Sequence, residues 1–176
     1  IRHEFDIYKR FTIDVGGKQK TITVGGRVDR LDEIRLNTPE EQLRVVDYKT
    51  GNKVAGQLKD VDAIFDSGKI LTDKSDYIFQ AVLYSIIEQT NDADNNPNHK
   101  PVSPALLFIQ HAGSDHYSPI VTLGGEPVTN AAAYEADFEN FLKAKLEELF
   151  GSETFVPTSN QRICEYCPYN QLCGRG

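Results

Sequence analysis

The sequence has no methionine and no tryptophan, and its only three cysteines lie within the last thirteen of 176 residues. A late, odd-numbered cluster of cysteines argues against a secreted disulfide framework and favours a reducing compartment, so we expect a cytoplasmic location. No apolar run approaches the roughly 18 residues of a transmembrane helix, so no membrane partner is expected. Because the chain opens on isoleucine without a signal peptide and lacks methionine, we interpret it as part of a longer protein.

The chain also lacks an excess of basic residues. It carries 19 Lys and Arg against 26 Asp and Glu, a net charge of -7. This balance argues against nucleic-acid binding through bulk charge, but it leaves room for a nuclease with an acidic site and a local DNA path. A hydrophobic content of 39% in this length is typical of one globular domain with a sizeable core.

Hydrophobic periodicity predicts a mixed α/β domain around one sheet. The first three strands most simply form a meander, and a loop is expected from residue 51 to about 75. The predicted elements are strands at 4–13, 21–34 and 43–50, a helix at 75–89 with Ser75 as its N-cap, strands at 105–110 and 117–123, and a helix at 129–151 with Gly151 as its C-terminal cap.

The third strand ends in "LRVVDYKTG", which places Asp47 and Lys49 on one face. If this strand pairs with the preceding one, Asp29 converges on Asp47, and two close carboxylates require a cation between them. Oxygen ligands of this kind suit Mg²⁺ or Mn²⁺, with the main-chain carbonyl of Tyr48 as a further ligand. Lys49 would then hold the attacking water or stabilise charge on a phosphate. The alternative is an ordinary exposed ion pair.

Two further sets of polar residues accompany this pattern. On the helix at 75–89, Gln80 and Tyr84 lie four apart in a polar stripe that also fits a solvent-facing surface. Arg30, next to Asp29, either contacts phosphate or pairs with Asp32 or Asp47.

The tail contains Cys164, Cys167 and Cys173 in the spacing C-x2-C-x5-C. Three thiols this close indicate a structural metal, either zinc or an iron–sulfur cluster. Both usually need four ligands, and a histidine (His99, His111 or His116) would complete a zinc site.

Together, "GGRVDRLDE", "LRVVDYKTG" and "QAVLY" resemble the PD-(D/E)XK nuclease superfamily, and within it the RecB-type exonucleases, including AddB-like subunits of helicase–nuclease complexes and CRISPR-associated RecB-like nucleases. The resemblance implies a restriction-endonuclease-like mixed central sheet flanked by helices, and metal-dependent cleavage of DNA. It implies Asp29 and Asp47 as catalytic metal ligands and Lys49 as the catalytic lysine. It also implies that Gln80 and Tyr84 orient the water, the lysine or the DNA.

The resemblance also bears on the ends of the chain. "CEYCPYNQLCG" is similar to the AddB-like tail that binds a [4Fe–4S] cluster. The resemblance implies that the fourth cysteine of the cluster lies upstream of this sequence. It also implies an upstream His or Glu that helps to bind the catalytic metal. We therefore expect a nuclease core at 1–160 without its N-terminal helix and a cysteine motif at 161–176 packed on the same domain. A helicase subunit or domain is an expected partner.

Two rival interpretations remain at this stage. The first is a nuclease-like module that binds DNA or acts as a scaffold without cleaving it, as the net charge and the missing upstream ligand suggest. The second is a zinc-stabilised interaction domain in which the Asp47–Lys49 pair is surface decoration.

Overall fold

The centre of the fold is a four-stranded mixed sheet. The structure is a computed structural model that describes residues 2–35, 41–91, 95–156, 158–165 and 167–174. The strands lie side by side in chain order as β1 (Arg2–Val15), β2 (Lys18–Arg35), β3 (Glu41–Lys49) and β4 (Val102–Phe108). The first three form the predicted antiparallel meander, and β4 runs parallel to β3. The predicted mixed sheet flanked by helices is confirmed.

Helices and a small second ribbon surround this sheet. Parallel neighbours such as β3 and β4 need a long crossover connection, and its main helix is α2. The helices are α1 (Lys69–Asp73), α2 (Ser75–Thr90), α3 (Glu135–Gly151) and α4 (Gln161–Glu165), and β5 (Thr122–Leu123) pairs with β6 (Glu126–Pro127). Among the residues that the structure describes, no helix is long and apolar enough to cross a membrane.

The hydrophobic core lies between the sheet and α2, with α3 closing one side. Every α2 residue from Ala81 to Gln89 is buried, which is unusual for a helix with one polar stripe. Phe138 and Leu142 bring α3 into the same core. Its aromatic part is a set of rings 5.0–5.6 Å apart, made of Phe65, Phe79, Phe138 and Phe141. Because α2 is enclosed, the side chains on its sheet-facing side are held in fixed positions.

The predicted boundaries need several corrections. Ser75 is the first helical residue and not the N-cap, since Lys74 occupies that position. At the other end of the fold, α3 includes Gly151 and is capped by Ser152. A 3-10 turn fills 131–134, so α3 begins only at Glu135. The loop predicted at 51–75 contains α1 and a 3-10 turn at 62–64.

The later strands also differ from the prediction. β4 begins at Val102 and not at residue 105, and it is followed by a 3-10 turn at 109–111. The prediction missed the start of β4 because proline is rare inside strands and Pro104 lies in this one. The strand predicted at 117–123 is reduced to β5 and two isolated bridges, from Ile120 to Ala105 and from Leu123 to Leu58.

Candidate active site

Asp47 and Lys49 lie at the carboxyl end of β3, beneath α2. Asp47 is only 5% exposed, and the ammonium of Lys49 lies 2.6 Å from its Oδ2. The pair is therefore enclosed, and the interpretation as an exposed surface ion pair is wrong. Among the described atoms, Oδ2 accepts no hydrogen bond of good geometry, so the contact is ionic. A buried carboxylate oxygen without a directed donor has capacity for a further cation.

Asp29 faces this pair from β2. The ladder between β2 and β3 ends at Arg30 opposite Val46, one step before Asp29 would stand opposite Asp47. Beyond that point the carboxylate of Asp29 takes over as acceptor, since Tyr48 donates its main-chain N–H to Oδ2 at 2.8 Å. The main chains of β2 and β3 thus separate at this point, and the side chain of Asp29 lies at the end of β3 near Asp47.

An irregularity in the first two strands accompanies this separation. Val28 and Leu31 are both core residues although they lie three positions apart, so the alternation of β2 shifts by one residue between them. Opposite, Glu4 of β1 has a φ of 48°, a conformation that costs an L-residue roughly 1–2 kcal/mol. Shifts of this kind re-aim side chains next to functional sites.

The polar stripe of α2 faces the sheet. Gln80 is half-buried and accepts a 3.0 Å hydrogen bond from the ammonium of Lys49, while Tyr84 is 7% exposed. The interpretation of these positions as a solvent-facing surface is therefore wrong. Tyr84 also explains the glycine before the first acid, because a Cβ on Gly26 would lie 2.1 Å from its hydroxyl oxygen. Two separate sequence motifs thus meet at one contact.

Arg30 lies beside the site but pairs away from Asp47. Its Nη2 lies 2.9 Å from Asp32 Oδ2, and its Nη1 donates to the hydroxyl of Tyr48 at 2.7 Å. The guanidinium carbon is 5.4 Å from the centre of the Tyr48 ring. Of the predicted ion partners, Asp32 is the one observed.

The electrostatics of the site centre on Asp47. Burial raises the pKa of this carboxyl above its ordinary value, the Lys49 ammonium opposes that rise, and the negative charge of Asp29 adds to it. The carboxylates of Asp29 and Asp47 outnumber the single ammonium of Lys49 at this point. The site therefore carries net negative charge, which favours binding of a cation.

The match to known families decides what kind of site this is. A family model described as the PD-(D/E)XK nuclease superfamily matches residues 2–174. The chain belongs to the PD-(D/E)XK nuclease superfamily. Membership implies nuclease activity with DNA as substrate, and these nucleases generally use divalent metals. The mixed sheet flanked by helices agrees with their restriction-endonuclease-like fold. No match was found among curated proteins or among solved structures.

The residues at the strand ends fit a small divalent cation of the kind these nucleases use. Mg²⁺ typically takes one or two carboxylates and completes its shell with water and substrate phosphate. Asp29 and Asp47 supply that number, and a cation there would share Asp47 Oδ2 with the Lys49 ammonium, which lies 2.6 Å from this buried oxygen. Within the described part of the chain, no group of three or more His, Cys, Asp or Glu side chains is placed to hold a metal.

The described residues of the cysteine tail do not assemble such a group either. Cys164 is buried in α4, Cys167 is half-buried in the turn that follows, and Cys173 is exposed; none forms a disulfide. Two of the histidines considered for a zinc site are used elsewhere: His99 Nδ1 contacts Gln89 O, and His111 Nε2 contacts Asn52 O. The alternative of a Cys₃His zinc site is not found among the described residues.

Sequence reasoning missed Tyr77, a neighbour of Lys49, and Lys74, which contacts the Tyr77 ring. Tyr77, one helical turn before Gln80, lies with its ring centre 4.2 Å from the Lys49 ammonium. Lys74 reaches the same ring at 5.5 Å. The available signal was the i, i+3 spacing of Tyr77 and Gln80, which puts both on the helix face that carries the stripe.

Proposed function

We propose that this protein is a Mg²⁺- or Mn²⁺-dependent deoxyribonuclease of the RecB-type exonuclease branch. The observation that carries the proposal is the meeting of Asp29, Asp47 and Lys49 at one point, with Gln80 holding the lysine. Lone Asp-x-Lys pairs are common, but a buried pair facing a second acid and fixed by a helix is not expected of surface decoration.

Each residue has a role in this proposal. Asp29, Asp47 and the Tyr48 carbonyl hold the metal, which when bound supplies an activated water and neutralises phosphate charge. Lys49 donates to the phosphate oxygens where negative charge develops, and Gln80 keeps its ammonium aimed there. Tyr84 packs against Gly26 and holds the helix at its distance from β2. Arg30, fixed by Asp32 and Tyr48, adds positive charge beside the DNA path.

The finer assignment rests on the tail. We propose that residues 1–160 form the nuclease core and that 161–176 form a cysteine motif on the same domain. Cys164, Cys167 and Cys173 supply three ligands to a [4Fe–4S] cluster with a structural role, and a fourth ligand comes from outside these three. A helicase subunit or domain is the proposed partner.

The test is cleavage of end-labelled linear DNA by the full-length protein with Mg²⁺, Mn²⁺ or EDTA. Asp47→Ala and Lys49→Ala should each reduce the rate about 100-fold or more. Asp137→Ala and Lys20→Ala, which alter exposed residues of α3 and β2, are the matched controls. The proposal is wrong if both site variants digest DNA as fast as the controls.

The alternative of a binding module without cleavage is favoured by one observation. The described residues provide two acidic side chains at the site and no cluster of three. DNA binding without cleavage under any divalent metal would support this alternative, and metal-dependent cleavage would rule it out. Iron and sulfide in the purified protein would separately eliminate the zinc-stabilised interaction domain.

A further inference from the structure

Tyr77 carries two ammonium groups on one ring. The Nζ of Lys49 lies 4.2 Å from the ring centre and that of Lys74 lies 5.5 Å from it. Both distances are within the range of about 6 Å for cation–π attraction. The ring also leans on Phe108 of β4, with centres 6.3 Å apart, so it is supported from the sheet side.

The position of Tyr77 is set by α2. Tyr77 and Gln80 are one turn apart and contact the same ammonium, with Gln80 Oε1 3.0 Å from Lys49 Nζ. Lys49 therefore has three fixed neighbours: a carboxylate, an amide oxygen and an aromatic face. The phenolic hydroxyl of Tyr77 makes no hydrogen bond to another described residue, which leaves the ring as its working part.

Lys74 occupies an unusual backbone position for a lysine. It joins α1 to α2 with φ 56° and ψ 44°, the left-handed region that disfavours side chains. Within the described part of the chain its ammonium makes no ion pair and no hydrogen bond. Two ammonium groups held near one ring repel each other, and a polyanion that contacts both would offset that repulsion.

We infer that Tyr77 organises Lys49 and Lys74 into a two-lysine phosphate site, in which Lys74 contacts the DNA backbone next to the phosphate that Lys49 serves. The inference rests on the proposed nuclease function and extends it. Tyr77 is a positioning residue that acts through the two lysines, and Lys74 is a substrate-binding residue. The ligand chemistry is a polyanionic DNA strand with adjacent phosphates.

The experiment measures KM, kcat and the salt dependence of cleavage for Lys74→Gln, Tyr77→Leu and Tyr77→Phe in the full-length protein. Lys18→Gln is the charge-matched control, an exposed lysine at the far end of β2, about 36 Å from Asp29 at 3.3 Å per residue. Lys74→Gln should raise KM about tenfold with little change in kcat, and should lower the salt slope by about one.

The Tyr77 variants separate ring from hydroxyl. Tyr77→Leu should lower kcat about tenfold as well as raise KM, and Tyr77→Phe should rescue both. In the double variant Tyr77→Leu/Lys74→Gln, KM should rise no further than in Tyr77→Leu alone, since the lysine has already lost its support.

The outcomes also separate this inference from the proposed function. If the parent cleaves, Asp47→Ala does not, and Lys74→Gln matches Lys18→Gln in both KM and salt slope, then the two-lysine site is wrong while the nuclease stands. If Tyr77→Phe is as defective as Tyr77→Leu, the ring is not the positioning element. A Tyr77→Leu protein that fails to fold leaves Lys74→Gln and Tyr77→Phe to decide.

Discussion

Replacing the buried carboxyl of Glu88 should remove a defined part of the pH dependence of stability. Glu88 is fully buried on α2, and its Oε1 has no hydrogen-bond partner among the described atoms. Burial raises its pKa from 4.5 to about 7, opposed by a hydrogen bond from Asn95 and by the charge of Arg2. The native state therefore holds a proton that the unfolded chain has already released above pH 4.5, so stability falls as pH rises from 4.5 to about 7.

The magnitude follows from the two pKa values. A difference of 2.5 units corresponds to about 3 kcal/mol, of which about 2.5 kcal/mol is lost between pH 5 and pH 8. Glu88→Gln keeps the shape and removes the titration. Urea unfolding at pH 5, 6, 7 and 8 should show the parent losing stability relative to Glu88→Gln by this amount.

The difference between the two proteins is the informative quantity, because every other titrating group is common to both. Above pH 8 the difference should be constant. A difference that stays flat from pH 5 to pH 8, or that grows in favour of the parent, would refute a neutral carboxyl at this position.

Three further variants test the packing around the site. Gly26→Ala forces a Cβ to within 2.1 Å of the Tyr84 hydroxyl and should destabilise the protein by about 1–3 kcal/mol in urea unfolding; unchanged stability and activity would contradict the contact. Gln80→Ala frees the Lys49 ammonium on one side and should slow DNA cleavage about tenfold at nearly unchanged melting temperature. Phe138→Ala removes a ring from the aromatic part of the core and should lower the free energy of unfolding by about 3–5 kcal/mol in thermal unfolding. An unchanged melting temperature would contradict this packing.

The sheet and its two main helices could be predicted because local patterns encode them. Alternation and a Gly-Gly turn define the first hairpin, and a long apolar helix has one obvious place against a sheet. The predictions were wrong where tertiary contacts, and not the local sequence pattern, decide where an element begins. Pro104 lies inside β4 although proline is rare there, and Lys74 rather than Ser75 stands before α2.

The candidate site could be only partly predicted for the same reason. Spacing put Asp47 and Lys49 on one face, and pairing brought Asp29 to them. The pairing of β2 with β3 stops at Arg30 opposite Val46, and no local pattern indicates that it stops just before Asp29. The orientation of α2 decided the rest, because Gln80 fits either a solvent-facing or a sheet-facing stripe until the helix is placed.

The cysteine motif shows the opposite limit. Its spacing is a strong sequence signal, yet the described residues bring no three ligands together there. Metal sites of this kind gain their geometry from the bound metal, so the amino-acid pattern and the side-chain arrangement can differ.

The most direct test of the metal site is to measure Mn²⁺ binding to the full-length protein in the presence of a non-cleavable DNA analogue. The EPR signal of free Mn²⁺ reports how much of the metal remains unbound. The central claim is that Asp29 and Asp47 hold the divalent cation at the end of β3. The parent should bind Mn²⁺, and Asp29→Asn/Asp47→Asn should weaken that binding at least about tenfold. Equal Mn²⁺ affinity in the two proteins would contradict the account.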